Sequence, residues 1–288
     1  MVLTQGESAD TAWWKVAVLP TMECLPLVVA DHGGFFAAEG LSVGLRRFEA
    51  QMDIDTALAG GSVAAGVSDL VRLEHLRQQR VELTSVTATD ACWQLLAMRP
   101  ARITKAVQLD DKMLAMTRYS ATDLLSDLIV DSARLKSERV FRIQVNNIAV
   151  RLGMLESGIM DAMFLPEPQA TVGRNQQATL LYDTRKDSLW LGCILFRNDS
   201  LKGHDRQLKA MQKAYDRAVD SLNILGLHAY DALIEKFYGL TSAAIDSLPS
   251  DMKFSRWHQP SARDTLRVKQ WWEKRVASMK YVEKRYLQ

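Results

Sequence analysis

The sequence predicts an α/β protein made of two successive lobes and a helical tail, and three observations carry that expectation. From residue 13 short apolar runs alternate with helix-patterned stretches, the spacing of strand–helix–strand units with a mostly parallel sheet. The alternation restarts near residue 112. From about residue 204 apolar residues recur at helical spacing.

Each element follows in order. WWKVAVLP (13–20) reads as a buried strand ending at Pro20, which has no N–H for a ladder. PLVVADHGGFFAAEG reads as a short helix: Pro26 suits its first turn, Gly33 or Gly34 a tight turn, and Gly40 a left-handed cap. LSVGLRRFE (41–49) alternates as a second strand, and DIDTALAGG (53–61) is a helix closed by two glycines. SVAAGVSDL (62–70) is small and apolar, which suits a strand covered on both faces. VRLEHLRQQR is helical, and VELTSVTATDACWQLLAM (81–98) holds one or two strands.

The second lobe reads as strand KMLAMTRYS (112–120), helix ATDLLSDLIVDSARL (121–135), strand VFRIQVNN (140–147), helix IAVRLGMLESG (148–158) and strand IMDAMFLPEP (159–168). SLWLGCILFRND (188–199) is a last apolar strand. The tail, including LKAMQKAYDRAVDSLNILG and TLRVKQWWEKRVASMKYVEKRYL, is helical, with aromatic stripes that read as core or docking faces. Its terminal Lys and Arg complement the helix dipole. The expected division is 13–98 plus 188–288 for one lobe and 99–187 for the other, with crossings near 97–103 and 184–190.

Composition narrows the class. The chain has 288 residues, 48% hydrophobic and 24% charged, and a formal net charge of +2. Such a balance makes no electrostatic case for nucleic acid or a membrane surface. No apolar run approaches the roughly 20 residues of a transmembrane helix. The opening MVLTQGESADTAWW lacks a basic segment followed by an apolar one, so no export signal is read in it. Cys24, Cys92 and Cys193 lie far apart, with no CxxC and no Cys/His ligand spacing. They read as apolar packing residues, and neither a zinc site nor a cofactor is expected.

The stretch from 26 to 69 carries a resemblance. PLVVADHGGFFAAEGLSV has the form P-L-x-x-A-x-x-x-G-x-F-x-x-E-G-L-x-V, and DIDTALAGGSVAAGVSD follows as D-x-x-x-A-L-x-x-G running into a strand that ends in Asp. Together with MLAMTRYSATDLL and MLESGIMDAMFLPEPQAT, these segments resemble type II periplasmic substrate-binding proteins. Within that group they are similar to the branch serving ABC importers of nitrate, sulfonates and thiamine-pyrimidine precursors, the NMT1/THI5-like group. The likeness spans about residues 13 to 200. It implies the two-lobed periplasmic-binding-protein type II fold with a ligand cleft between lobes, closing by a hinge. It also implies an extracytoplasmic protein, periplasmic or lipid-anchored in native form, that is a monomer and hands one small molecule to ABC permease subunits.

Ligands of open α/β sheets sit beyond the carboxyl ends of the strands, and those ends name the candidates. Thr21, Met22 and Glu23 follow the first strand and line a cleft or a solvent loop. Ser68 and Asp69 end AAGVSD, where they contact ligand or cap the next helix. Thr87, Thr89, Asp90 and Trp93 suggest a face turned to a cavity, with Trp93 stacking on a flat ligand or filling core. Arg118, Ser120, Ala121 and Thr122 form a strand-to-helix turn able to hold an anion, or a simple cap. Asn146 and Asn147 suit polar ligands. The resemblance adds Glu167, which would bind a cationic group or pair with an arginine. Asp69, Asp90 and Glu167 would repel a purely anionic ligand, so a neutral or amine-bearing heterocycle such as a pyrimidine fits this set better.

Two enzymes are the rival readings. Eukaryotic pyrimidine synthases of this fold carry a cysteine-rich iron-binding run, which this chain lacks. Enzymes of the chorismate dehydratase type keep the fold in the cytosol. Neither a GxxxxGK nor a GxGxxG loop is present. No ordered nucleophile, base and orienter stands out, so catalysis is expected to be absent.

Overall fold

The computed structural model describes residues 13–286, and the opening stretch in which no export signal is read lies largely outside them. The elements are β1 (Trp14–Val18), α1 (Leu25–His32), α2 (Phe35–Ala38), β2 (Val43–Arg47), α3 (Gln51–Ala59), β3 (Ala65–Asp69), α4 (Leu70–Gln78), β4 (Leu83–Ala88) and β5 (Trp93–Ala97). There follow β6 (Lys112–Met116), α5 (Ala121–Ser132), β7 (Val140–Gln144), α6 (Ile148–Glu156), β8 (Ala162–Pro166), α7 (Gln169–Asn175) and β9 (Thr179–Asp183). Next come β10 (Gly192–Arg197), α8 (Asn198–Leu201), α9 (Asp205–Leu225), α10 (Asp231–Tyr238), α11 (Ser242–Asp246) and α12 (Ala262–Tyr286).

The strands form two five-stranded sheets, β2-β1-β3-β10-β4 and β7-β6-β8-β5-β9. The orders are equivalent, and each sheet carries one antiparallel strand in its fourth place. The sheets are therefore mixed, each the mostly parallel sheet that the strand–helix alternation predicts with one exception. The exception has a topological cause. A parallel neighbour needs a long crossover, usually a helix. β5 and β10 instead arrive directly from the opposite sheet, over residues 89–92 and 184–191, and enter antiparallel.

This moves the expected boundary. Trp93–Ala97 belongs to the second sheet, so the chain leaves the first at 89–92 rather than at 97–103. Residues 169–183, which the sequence reading leaves without structure, form α7 and β9. The tail is not continuously helical either: between α11 and α12 it runs extended along β4. There Ala88 N donates to His258 O (2.8 Å), His258 N to Thr87 Oγ1 (3.1 Å), and Gln259 Nε2 to Val86 O (2.9 Å). The segment satisfies backbone groups that edge strand β4 would otherwise expose. Thr87 is spent on it, facing the tail rather than a cavity.

The inner strands β3, β5, β8 and β10 are almost wholly buried under the flanking helices, as continuous apolar strands require, while the edge strands β2, β7 and β9 are largely half-buried. Gly66 in β3 lets α3 approach, since a Cβ there would lie 2.7 Å from Ile54 Cγ2. The two halves touch directly. Met22 N donates to Glu167 O (2.8 Å), Gln169 Nε2 to Pro20 O (2.9 Å), and Ala50 bridges Asn147. α12 lies along α4 of the first half and reaches α5 of the second, where Trp271 Nε1 donates to Asp127 Oδ2 (2.8 Å) and Arg275 pairs with Asp123.

Candidate functional site

Two adjoining cavities lie where the carboxyl ends of both sheets face each other. The larger, about 300 Å³, is the size of a small-molecule site. Its apolar lining comes from Met22, Ala91, Cys92, Pro166, Trp190, Met252 and Phe254. Its polar lining includes Thr21, Glu23, Asp90, Glu167, Arg185 and Ser255. The smaller, about 40 Å³, is lined by Gln51, Ser68, Asp69, Trp93, Thr117, Ser120, Thr122 and Arg151. Thr21, Glu23 and Pro166 border both.

Glu23 stands at the junction. Thr89 Oγ1 donates to its Oε2 (2.5 Å) and Thr21 Oγ1 to its Oε1 (3.4 Å). No cation pairs with it among the described residues. Burial raises its carboxyl from the ordinary 4.5 to about 7, against the hydroxyl of Thr89 and helped by the charges of Asp69 and Asp90. The close approach depends on Gly192, where a Cβ would meet Thr89 Oγ1 at 2.3 Å, Ala91 Cβ at 2.4 Å and Glu23 Oε2 at 2.8 Å.

The other expected site residues divide. Thr21, Met22, Ser68 and Trp93 line the cavities as expected of cleft residues. Asp69 lines the smaller one and also caps α4, taking the Arg72 N–H at 2.9 Å, so both of its readings hold at once. Burial raises its carboxyl too, against the opposing charge of Arg72. Ser120 and Thr122 reach the smaller cavity, but their hydroxyls are tied to each other (2.9 Å) and to the carbonyl of Thr117. Ala121 is fully buried at the start of α5. Thr89 is buried behind Glu23.

Five residues are engaged by the protein itself or lie apart from the two cavities. Asp90 touches the larger cavity, but its carboxylate holds the tail through Ser255 N (2.7 Å) and Ser255 Oγ (2.6 Å). Arg118 faces a separate groove between α3 and α4 with Met52, His75 and Gln144. Asn147 caps α6 through Val150 N (2.9 Å), and Asn146 accepts from Gln144 (3.1 Å); neither lines these two cavities. Glu167 takes the arginine alternative: its carboxylate accepts from Arg174 (3.0 Å), Gln94 (3.1 Å) and Thr171 N (2.9 Å).

Sequence reasoning misses Arg185, Trp190 and Met252–Ser255 because crossing segments and tail loops carry no strand-end signal. It also misses Gln51 and Arg151, whose helical surroundings disguise them. Arg185 is engaged by Asp183, bidentate with 3.1 and 2.6 Å contacts. The Cys92 thiol is pushed up to about 12 by burial and by Asp183, and is no nucleophile at neutral pH.

The model of a family described as NMT1/THI5 like matches residues 21–222. Among solved structures, the periplasmic aliphatic sulphonate binding protein SsuA from Escherichia coli superposes with a TM-score of 0.74 at 16% identity, over 91% of this chain and 87% of that one. The alkanesulfonate-binding protein SsuA from Xanthomonas axonopodis pv. citri, bound to MOPS, gives 0.76 at 16% identity, over 94% and 93%. The periplasmic nitrate-binding protein NrtA from Synechocystis PCC 6803 gives 0.70 at 12% identity, over 85% and 74%. At these identities the likeness is one of fold. A search of curated proteins returned no match.

Proposed function

We propose that this chain, which belongs to the NMT1/THI5-like family, is the solute-binding component of an ABC importer. It captures one small molecule between its halves, closes on it and delivers it unchanged to permease subunits. The observation that carries this reading is the pair of cavities enclosed where the carboxyl ends of both sheets meet. The structural neighbours named for sulfonate and nitrate binding support the same reading. In its exported form the protein works as a monomer outside the cytoplasmic membrane, free or held by a lipid anchor.

The binding step follows from the geometry. The larger cavity offers Trp190, Phe254 and Met252 to a flat or apolar body, and that burial supplies most of the affinity. Glu23 and Thr21 orient it from the first half. Opening turns on the two adjacent crossing segments, joined by Thr89 N to Gly192 O (3.0 Å) and Trp93 N to Thr184 Oγ1 (3.1 Å). The Met22–Glu167 and Gln169–Pro20 contacts break as the halves part.

A thermal-shift screen at fixed protein concentration tests the reading. Its panel holds thiamine precursors, pyrimidines, sulfonates, nitrate, amino acids and chorismate-like acids. A ligand at 100-fold excess over its Kd stabilises the native state by about 2.7 kcal/mol. An upward shift with one class, and the ligand recovered intact, is the expected result. Consumption of the ligand would replace the carrier with an enzyme.

A further inference from the structure

Among the described residues, Arg151 is a buried cation with no counter-charge. Arg151, on the first turn of α6, is 5% exposed and borders the smaller cavity. Its Nη1 donates to Phe164 O (2.9 Å), and its Nε is buried without any partner. Among the described residues no carboxylate forms an ion pair with it. The nearby acids are already committed: Asp55 to Arg72, Asp69 to the start of α4, and Glu167 to Arg174. The charge Arg151 does feel is that of Arg72, of its own sign.

This arrangement costs stability on two counts. An unpaired buried charge is among the most unfavourable features a fold can keep. A cation in the first turn of a helix also opposes the positive end of the helix dipole. Burial and Arg72 accordingly lower its guanidinium to about 10, still charged at neutral pH. α4, α5 and α6 all begin at this cavity, through Asp69, Ser120 with Thr122, and Ile148. Three positive helix ends and an unpaired guanidinium thus converge on one small polar space.

We infer that Arg151 is the counter-ion for an anionic group of the ligand, seated in the smaller cavity while the ligand's body fills the larger one. The ligand class is a small organic oxyanion, a carboxylate, sulfonate or phosphate, attached to a flat or apolar body. The inference rests on the capture reading above and reverses the charge expectation drawn from the sequence. Asp90 and Glu167, two of the three acids thought to exclude anions, are consumed by Ser255 and by Arg174. Glu23 borders the seat with a carboxyl that can carry a proton near neutral pH and donate it as a hydrogen bond to the anion.

The test compares wild type with Arg151→Gln and Arg151→Lys, at fixed ionic strength, by thermal shift and titration calorimetry. The probes are sulfate, nitrate, benzoate and benzenesulfonate, with benzamide and benzenesulfonamide as neutral counterparts. Wild type should respond to the anions and not to the amides. R151Q should bind the anions roughly 30-fold or more weakly, the loss expected when one partner of a buried charge pair is removed. R151K should retain part of the affinity. Ligand-free R151Q should be at least as stable as wild type in urea, because an uncompensated charge has gone.

A structural arginine would behave oppositely, with R151Q less stable and its anion response unchanged, and that result overturns the assignment. So does an absence of anion response in wild type. A neutral compound captured equally by wild type and R151Q would leave the capture reading standing and remove Arg151 from it.

Discussion

Replacing Glu23 by Gln should change the pH dependence of stability in a direction the structure dictates. The Glu23 carboxyl is raised from 4.5 to about 7, chiefly by burial. A carboxyl raised in the folded state favours folding fully below its unfolded value. That contribution is lost as pH climbs through the folded value, so the window lies between about 4.5 and 7. At about 1.4 kcal/mol per pH unit, wild type loses at most about 3 kcal/mol across it. Water in the cavity screens the charge and makes this a ceiling.

Gln keeps the shape and still accepts from Thr89, but cannot ionise. Urea unfolding of both proteins at pH 5 and pH 8 isolates the effect, since every other titrating group cancels between them. The stability of Glu23→Gln relative to wild type should rise by 1–3 kcal/mol between the two pH values, about 1 M in midpoint. A relative stability identical at both pH values would show that Glu23 is solvated and ionised throughout, and would refute its place at the buried junction of the cavities.

Three further perturbations test the frame around the site. Gly192→Ala should destabilise by about 3 kcal/mol, because its methyl overlaps Thr89, Ala91 and Glu23 at once; urea unfolding reads this, and a neutral effect would mean the crossing segments are loose. Arg72→Met should cost about 3–5 kcal/mol at pH 8 by stranding Asp55, while the Asp55→Asn, Arg72→Met double variant should regain most of it. The Asp55 carboxyl stands at about 6 because burial outweighs Arg72, so the single variant should lose less at pH 5, where Asp55 is protonated. Trp271→Phe removes the indole bond to Asp127, worth about 1 kcal/mol; if α12 holds the halves together, stopped-flow dissociation of a bound ligand should quicken about fivefold.

The two-lobed α/β order, the positions of β1 to β4 and β6 to β8, and a cleft at their carboxyl ends were all legible in the sequence. Apolar periodicity and strand-end polar residues are local signals, and they are strongest where strands are covered on both faces. Those signals picked out Thr21, Glu23, Ser68, Asp69 and Trp93, which border the two cavities. Local signals say nothing of which sheet a strand joins, and so β5 was assigned to the wrong lobe. The strand-to-helix turn signal likewise selected Arg118 and Asn147 alongside Ser120, since capping and ligand binding use the same residue types. Only the tertiary structure decided which polar groups are spent on the protein itself. It ties Asp90 to Ser255 and Glu167 to Arg174, and leaves Arg151 buried with no ion-pair partner among the described residues. Charge pairing depends on distances between residues far apart in the chain, and sequence spacing does not contain them.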